Sequence, residues 1–128
     1  MLQTTTERLT TRLREATAAA HDDAENSGFM SALLDGELHA CAAADLAGQL
    51  WFVYGALEDA VRSIADTPEG AAIADERLER HDALERDLGF LVGPRWRSSI
   101  EALPPTAAYV NRLTELARAR DAASLLAH

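Results

Sequence analysis

The sequence predicts an all-α fold formed by a single domain, and three observations support this. Apolar residues recur at helical spacings of three, four and seven along most of the 128 residues, and no alternation of period two persists. There is no internal repeat or low-complexity tract. Hydrophobic residues make up 48% of the chain and charged residues 26%, which is the range of ordinary globular domains. We therefore expect residues 1–128 to form one helical domain.

The first two helices are predicted on either side of a short break. Residues 6–25, from Thr6 to Glu25, are rich in Ala, Leu, Arg and Glu, which favours a helix. An apolar stripe runs along it through Leu9, Leu13, Ala16 and Ala20. The following Asn-Ser-Gly segment ends this helix. Ser27 is a suitable N-cap for a short helix over residues 29–34, which Gly36 then ends.

The longest periodic stretch, residues 42–66, predicts the central core helix. Its apolar residues on one helical period are Leu46, Leu50, Val53, Tyr54, Leu57, Val61 and Ile64. The Thr-Pro-Glu-Gly sequence at residues 67–70 predicts a turn. Helices are then expected at residues 71–74 and 77–88, the second ended by Gly89.

Shorter elements complete the predicted fold. A Gly-Pro pair at residues 93–94 predicts a loop, and residues 96–103 predict a short helix. Two consecutive prolines then predict a break, with Pro105 suited to the first position of a helix over residues 106–118. Asp121 is a suitable N-cap for a last helical segment, residues 122–128.

Charge and cysteine content exclude several classes of function. The formal charge is −9, with 21 acidic residues against 12 basic ones that are all arginine, so no basic surface for nucleic acid is expected. Cys41 is the single cysteine, which excludes an intramolecular disulfide and a cysteine-rich zinc site. No secretion signal is evident, and no apolar run approaches the ~20 residues of a membrane helix. We therefore expect a soluble cytoplasmic protein without membrane contact.

His21 is the most informative residue, because of the helix face that it shares. This face carries Arg14, Thr17, Ala18, His21, Ala24 and Glu25. A neutral imidazole binds a metal through one nitrogen while a carboxylate one turn away accepts a hydrogen bond from the other. Arg14, two turns earlier, is a cation suited to a carboxylate. The face suits a flat ligand with acidic edges; the alternative is an ordinary surface pair worth only ~0.2–0.5 kcal/mol.

The other candidate residues have simpler interpretations. His39 and Cys41 offer two metal ligands on a loop, which is half of the four that a structural zinc site needs. We therefore interpret their proximity as incidental and not as a metal site. His81 lies among charged residues and is expected to be a solvated helix residue. The aromatic cluster around Trp51 and Tyr54 is expected to anchor the central helix in the core.

Four ordered segments extend the pattern and resemble a known family. The stretch from Leu13 to Met30 resembles the N-terminal signature of the heme oxygenases. Further segments follow in that family's order and approximate spacing, namely residues 51–58, 81–88, 109–113 and 125–128. The resemblance covers about residues 9–128.

This resemblance implies a protein that uses heme as both cofactor and substrate and degrades it to biliverdin, carbon monoxide and iron. By position, His21 matches the proximal iron ligand and Glu25 its hydrogen-bonding partner. Arg14 matches a basic position near the heme propionates. Thr17, Ala24 and Met30 match proximal contacts, and Tyr54 a tyrosine that supports the distal hydrogen-bond network. An external electron donor of the ferredoxin or flavin reductase type is implied as partner.

The chain differs from the family because the segment that would match the distal helix is absent from it. The family's glycine-rich distal helix begins after the segment that matches Ala127 and His128, so we expect a heme oxygenase-like fold truncated before that helix and poorly active alone. Self-association through the exposed distal-side surface is also expected. Two alternatives remain open. One is a non-catalytic module that only ligates heme through His21, and the other is a helical interaction domain that does not bind heme.

Overall fold

A computed structural model describes residues 8–128, and all regular structure in this range is helical, which confirms the predicted all-α class. Thr6, the predicted start of the first helix, lies outside the described residues. The chain divides into two compact units, one up to residue 38 and the other from residue 39 to 128. The single-domain organisation stays a prediction.

The first unit contains helices α1 (Leu9–Glu25) and α2 (Gly28–Leu34), which contact each other. Helix α1 begins after Arg8 without a side-chain cap, and none of its residues is buried. The predicted cap of α2 is confirmed, because the Ser27 hydroxyl accepts a hydrogen bond of 3.3 Å from the Met30 backbone N–H. Helix α2 ends before Gly36, as predicted.

The second unit is built around α3 (Ala40–Ser63), which packs against both α5 (His81–Leu91) and α6 (Pro104–Arg118). Helix α7 (Ala122–Leu126) contacts α6 and the short α4 (Pro68–Ile73). The core between these helices consists of Ala60, Ile64, Leu113, Leu116, Ala122 and Leu125. The predicted central helix is therefore confirmed, and its apolar stripe supplies Ile64 to the core.

The predicted turn at residues 67–70 is wrong, because these residues begin α4. The Thr67 hydroxyl accepts a 3.0 Å hydrogen bond from the Gly70 N–H, which makes Thr67 an N-cap. Pro68 occupies the first helical turn, where its fixed φ and missing N–H cost nothing. Asp121 caps α7 in the same way, through a 3.1 Å bond from the Ser124 N–H, and that prediction is confirmed.

Other predicted boundaries are corrected. The helix predicted from residue 77 begins at His81, after a separate 3₁₀ turn over Glu76–Leu78. Helix α5 continues through Gly89 to Leu91, and the chain leaves it at Gly93, whose φ of +105° is readily adopted by glycine alone. Residues 96–103 form only a 3₁₀ turn over Trp96–Ser98 instead of a helix. Helix α6 begins at Pro104 rather than after the proline pair. Pro104 can open α6 because the first helical position needs no backbone N–H donor.

Helix α3 corrects the expectation about membrane-length segments. It has 24 residues, and an 18-residue window within it has a mean hydropathy of 1.2, so by length and composition it is long and apolar enough to cross a membrane. Central helices of soluble proteins meet the same two criteria. One such helix is therefore weak evidence for a membrane span.

Candidate functional site

Helix α1 brings His21 and Glu25 together on one exposed face. The His21 Nδ1 atom lies 3.4 Å from Glu25 Oε2, one helical turn away. Both side chains are largely exposed, at 72% and 62%. The distance is slightly longer than the 2.7–3.2 Å typical of an N–H···O hydrogen bond, and two exposed side chains have the rotamer freedom to shorten it. Because Glu25 faces Nδ1, it favours the tautomer in which Nε2 is free to bind a metal.

A metal ion could also take ligands from a neighbouring carboxylate. The candidate ligand atoms of His21, Asp22 and Glu25 all lie within 4.8 Å of one another, and all three residues are exposed. The Asp22 carboxylate is 4.0 Å from the His21 Nδ1 atom. This set offers one nitrogen and two carboxylate groups from a single helix.

The remaining predicted residues of α1, Arg14, Thr17 and Ala24, are all exposed. Arg14 is exposed, and among residues 8–128 it makes no ion pair. It lies seven residues before His21, about 10 Å along the helix axis. The Thr17 hydroxyl donates a 2.9 Å hydrogen bond to the Leu13 carbonyl, so it is engaged with its own helix. Ala24 is exposed.

Two predicted residues lie outside α1. Met30 is half-buried in α2, where its backbone N–H is held by the Ser27 cap. Tyr54 belongs to the second unit, where it is half-buried on α3.

Tyr54 lines a cavity of about 500 Å³ in the second unit. Apolar side chains from three helices, α3, α4 and α7, line it: Leu57, Val61, Ile73, Leu125 and Leu126. Charged side chains also line it: Glu58, Arg62, Asp75, Glu76 and Glu79. We refer to this feature as the acidic-rimmed cavity.

Glu58 is the buried charged residue that sequence reasoning missed. Its side chain is 9% exposed, and its Oε1 atom accepts hydrogen bonds from the Arg80 and His81 N–H groups at 2.6 and 3.0 Å. These N–H groups open α5, which has no side-chain cap from Arg80. Glu58 therefore caps α5 from α3. Its position one turn after Tyr54, on an apolar helix, was the available sequence signal.

His81 differs from the solvated residue expected. It is half-buried, and its ring stacks on Trp51 with centroids 5.0 Å apart. The Trp51 indole N–H donates a 3.3 Å hydrogen bond to Glu85, which also pairs with Arg97 at 2.8 Å. The Arg97 guanidinium, helped by the indole N–H, holds the pKa of Glu85 below its ordinary value. This cluster joins α3, α5 and the 3₁₀ turn.

His39 and Cys41 have a structural role. The His39 side chain accepts a 3.3 Å hydrogen bond from the Cys41 N–H, and His39 is the N-cap of α3. The His39 Nδ1 atom also lies 3.2 Å from the exposed Cys41 sulfur. The pair thus begins a helix.

Comparison with known proteins gives a consistent result. The family model described as "Heme oxygenase" matches residues 7–128. "Heme oxygenase 1" of Synechocystis sp. is 36% identical over 109 residues, covering 85% of this chain and 45% of that protein. "Heme oxygenase 1" of Homo sapiens is 36% identical over 111 residues, covering 86% of this chain and 38% of that protein.

Solved structures show the same similarity. Heme oxygenase-2 from Synechocystis sp., in complex with heme and NO, superposes with a TM-score of 0.83 at 32% identity, covering 94% of this chain and 49% of that chain. Heme oxygenase-1 from the same organism, in complex with heme, gives a TM-score of 0.77 at 35% identity, covering 87% of this chain and 50% of that chain. The chain spans about half the length of the relatives that it matches, or less.

Proposed function

The chain belongs to the heme oxygenase family, and from this premise we propose that it binds heme through His21 and acts in its degradation to biliverdin, carbon monoxide and iron. The observation that carries the proposal is the accessible His21 imidazole with Glu25 3.4 Å from its Nδ1 atom. When bound, heme supplies both the redox-active iron and the porphyrin ring that is oxidised.

The residues of α1 fit this group. Nε2 of His21 is the nitrogen that would bind the iron, because Nδ1 faces the Glu25 carboxylate. A neutral histidine donates less electron density than a thiolate would, which suits oxidation of the ring edge. Arg14 would neutralise a propionate. Thr17 and Ala24 would form a flat surface under the ring, with Met30 beside it.

Tyr54 is proposed to support the distal hydrogen-bond network, as the tyrosine at the matching family position does. It lines the acidic-rimmed cavity, where its neighbours include Glu58. Electrons would come from an external donor of the ferredoxin or flavin reductase type, in the cytoplasm. These roles rest on the family resemblance of the matched positions.

A hemin titration followed by Soret absorbance tests the ligand. The wild-type chain should give a histidine-ligated spectrum that His21→Ala loses. Glu25→Gln should retain the spectrum but weaken binding by about 10–100-fold, the usual effect of removing the partner of a ligating histidine. His39→Asn is the matched control, because it removes another exposed imidazole while keeping an N-cap side chain. Identical spectra for wild type and His21→Ala would refute the proposed ligand.

Product formation then separates degradation from binding alone. With hemin, reductant and dioxygen, degradation should release biliverdin and carbon monoxide, and His21→Ala should release neither. The second candidate function is a module that ligates heme without opening the ring. It is favoured by the 72% exposure of the His21 side chain, which leaves bound iron accessible to water. A His21-dependent Soret band without biliverdin would support this second function.

A further inference from the structure

Three carboxylates lie close together at the C-terminal end of α1. Asp22, Asp23 and Glu25 belong to the last turn of this helix, which contains no basic residue. Within the described part of the chain, no arginine forms an ion pair with any of them. The C-terminus of a helix carries a partial negative charge, so acidic side chains there are unfavourable. A cation bound at this end of α1 would therefore be stabilised.

The His21 imidazole adds a nitrogen ligand to this end of the helix. Its Nδ1 atom lies 3.4 Å from Glu25 Oε2 and 4.0 Å from Asp22 Oδ1. Zn–N and Zn–O bonds are about 2.0–2.2 Å long, so two ligands of a tetrahedral zinc ion lie roughly 3.4 Å apart. The distance between His21 and Glu25, which is long for a hydrogen bond, thus matches that between two ligands of one metal ion.

Asp22 can supply a third ligand after a side-chain rotation. The three candidate ligand atoms lie within 4.8 Å of one another, so the longest separation has to shorten by about 1.4 Å. All three side chains are exposed, which leaves their rotamers free to change. The backbone is fixed, because the Asn26 backbone N–H and side-chain amide both donate to the Asp22 carbonyl, at 3.0 and 2.8 Å. The helical spacing of the ligands is therefore kept to the end of α1.

The mixed ligand set favours a transition metal over magnesium or calcium. Imidazole nitrogen suits zinc, copper and nickel, whereas magnesium and calcium prefer oxygen ligands. One nitrogen and two carboxylate oxygens leave a fourth position for water, which is the arrangement of zinc sites with three protein ligands.

We propose that His21, Asp22 and Glu25 bind a divalent transition metal ion of the zinc class, and that this ion antagonises heme binding. The ion would take the place of the proton on His21 Nδ1 and would engage Glu25, which then no longer accepts a hydrogen bond from the imidazole. It would also withdraw electron density from the ring, so Nε2 becomes a weaker ligand for iron. The antagonism rests on the proposed heme ligation through His21, whereas metal binding itself does not.

A zinc titration of the full chain tests the ligand set. Zinc chloride is added in competition with a chromophoric zinc chelator at neutral pH. Asp22→Asn should weaken zinc binding by at least ~10-fold, because loss of even a hydrogen-bonding partner of a ligand costs about 10–100-fold. Asp23→Asn is the matched control, because it removes the same charge from the same turn but lies on the other side of the helix from His21. It should bind zinc like the wild type.

Cys41→Ser tests the alternative location of the ion. The His39 Nδ1 atom lies 3.2 Å from the Cys41 sulfur, so this pair is another place where zinc could bind. Cys41→Ser should bind zinc like the wild type, and His21→Ala should not. Loss of zinc binding in Cys41→Ser would overturn the proposed site. Equal zinc affinities of Asp22→Asn and Asp23→Asn would overturn it as well.

Hemin titrations followed by Soret absorbance test the antagonism. Saturating zinc should weaken hemin binding to the wild-type chain by about 10-fold or more, and EDTA should restore it. Because coupling between two ligands is reciprocal, bound hemin should weaken zinc binding by the same factor. Asp22→Asn should lose the effect of zinc, and without zinc it should bind hemin like Asp23→Asn.

The two proposals fail in different ways. Zinc binding that leaves the hemin affinity of the wild-type chain unchanged would refute the antagonism. A Soret spectrum that does not depend on His21 would refute the heme ligand, while zinc binding that depends on His21 and Asp22 would still establish the metal site.

Discussion

Removal of the Glu58 carboxylate should strongly destabilise the second unit. The side chain is 9% exposed and accepts hydrogen bonds from the Arg80 and His81 N–H groups at 2.6 and 3.0 Å. Hydrogen bonds to a charged acceptor contribute about 1.5–3 kcal/mol each, so we expect Glu58→Ala, which removes two of them, to lower the free energy of unfolding by about 3–6 kcal/mol. This is a large part of the ~5–15 kcal/mol typical of a domain.

The conservative variant Glu58→Gln separates the effect of the negative charge from the effect of the two hydrogen bonds. In Glu58→Gln the amide oxygen still accepts both hydrogen bonds, but the negative charge at the N-terminus of α5 is lost. The amide also faces Arg62, which lies 3.6 Å from the second carboxylate oxygen in the wild type. We therefore expect an intermediate cost of about 1–2 kcal/mol.

Urea unfolding followed by circular dichroism at 222 nm measures both effects. Asp59→Ala is the matched control, because Asp59 is the next residue of α3 and makes only an exposed ion pair with Arg62. Its cost should be below about 1 kcal/mol. If Glu58→Ala costs no more than Asp59→Ala, Glu58 does not cap α5, and the reasoning from its hydrogen bonds is refuted.

Three further predictions use the same unfolding assay. Gly70→Ala should cost about 1–3 kcal/mol, because the added Cβ would lie 1.9 Å from the Ile64 carbonyl oxygen and α4 would have to shift. Glu85 has a depressed pKa, so its stabilisation is present above the unfolded value of about 4.3 and is lost as pH falls through the folded pKa. Glu85→Gln should therefore lose less stability than the wild type on acidification through that range. Arg120 has a φ of +51°, so Arg120→Gly should be more stable than Arg120→Ala by about 1 kcal/mol.

Each of these predictions has a control or a contrary result. Gly28→Ala introduces a Cβ with nothing within 4 Å, so it should be neutral or slightly stabilising, unlike the substitution in α4. If the free energy of unfolding falls equally for the wild type and for Glu85→Gln as pH is lowered, the role of the Arg97 contact is contradicted. Arg120 donates to the Ser63 carbonyl at 2.8 Å and pairs with Asp66 at 2.7 Å, and both substitutions remove these contacts equally. Equal stability of the two Arg120 variants would contradict the backbone argument.

Local signals were read correctly where a few neighbouring residues decide the structure. Ser27 and Asp121 cap the helices for which they were predicted, because an N-cap depends on one side chain and an N–H group three residues later. The spacing of His21 and Glu25 likewise translated directly into a 3.4 Å approach, since residues four apart on a helix are neighbours.

Signals that depend on distant residues were misread. Gly89 was expected to end α5, but the helix continues, with the neighbouring Leu88 fully buried. His81 looked solvated among charged neighbours, yet it stacks on Trp51, thirty positions earlier in the chain. Glu58 caps a helix that begins more than twenty residues later. Packing between α3 and α5 decides all three.

The sequence by itself determined the helical class, the order of the main helices, and the face of α1 that carries His21, Glu25 and Arg14. These follow from periodicity and from contacts within one or two helical turns. Only the tertiary structure decided that Glu58 is buried as a cap and that a cavity opens beside Tyr54. The physical reason is that burial and hydrogen-bond satisfaction are properties of facing surfaces, and the residues that form those surfaces are far apart in the chain.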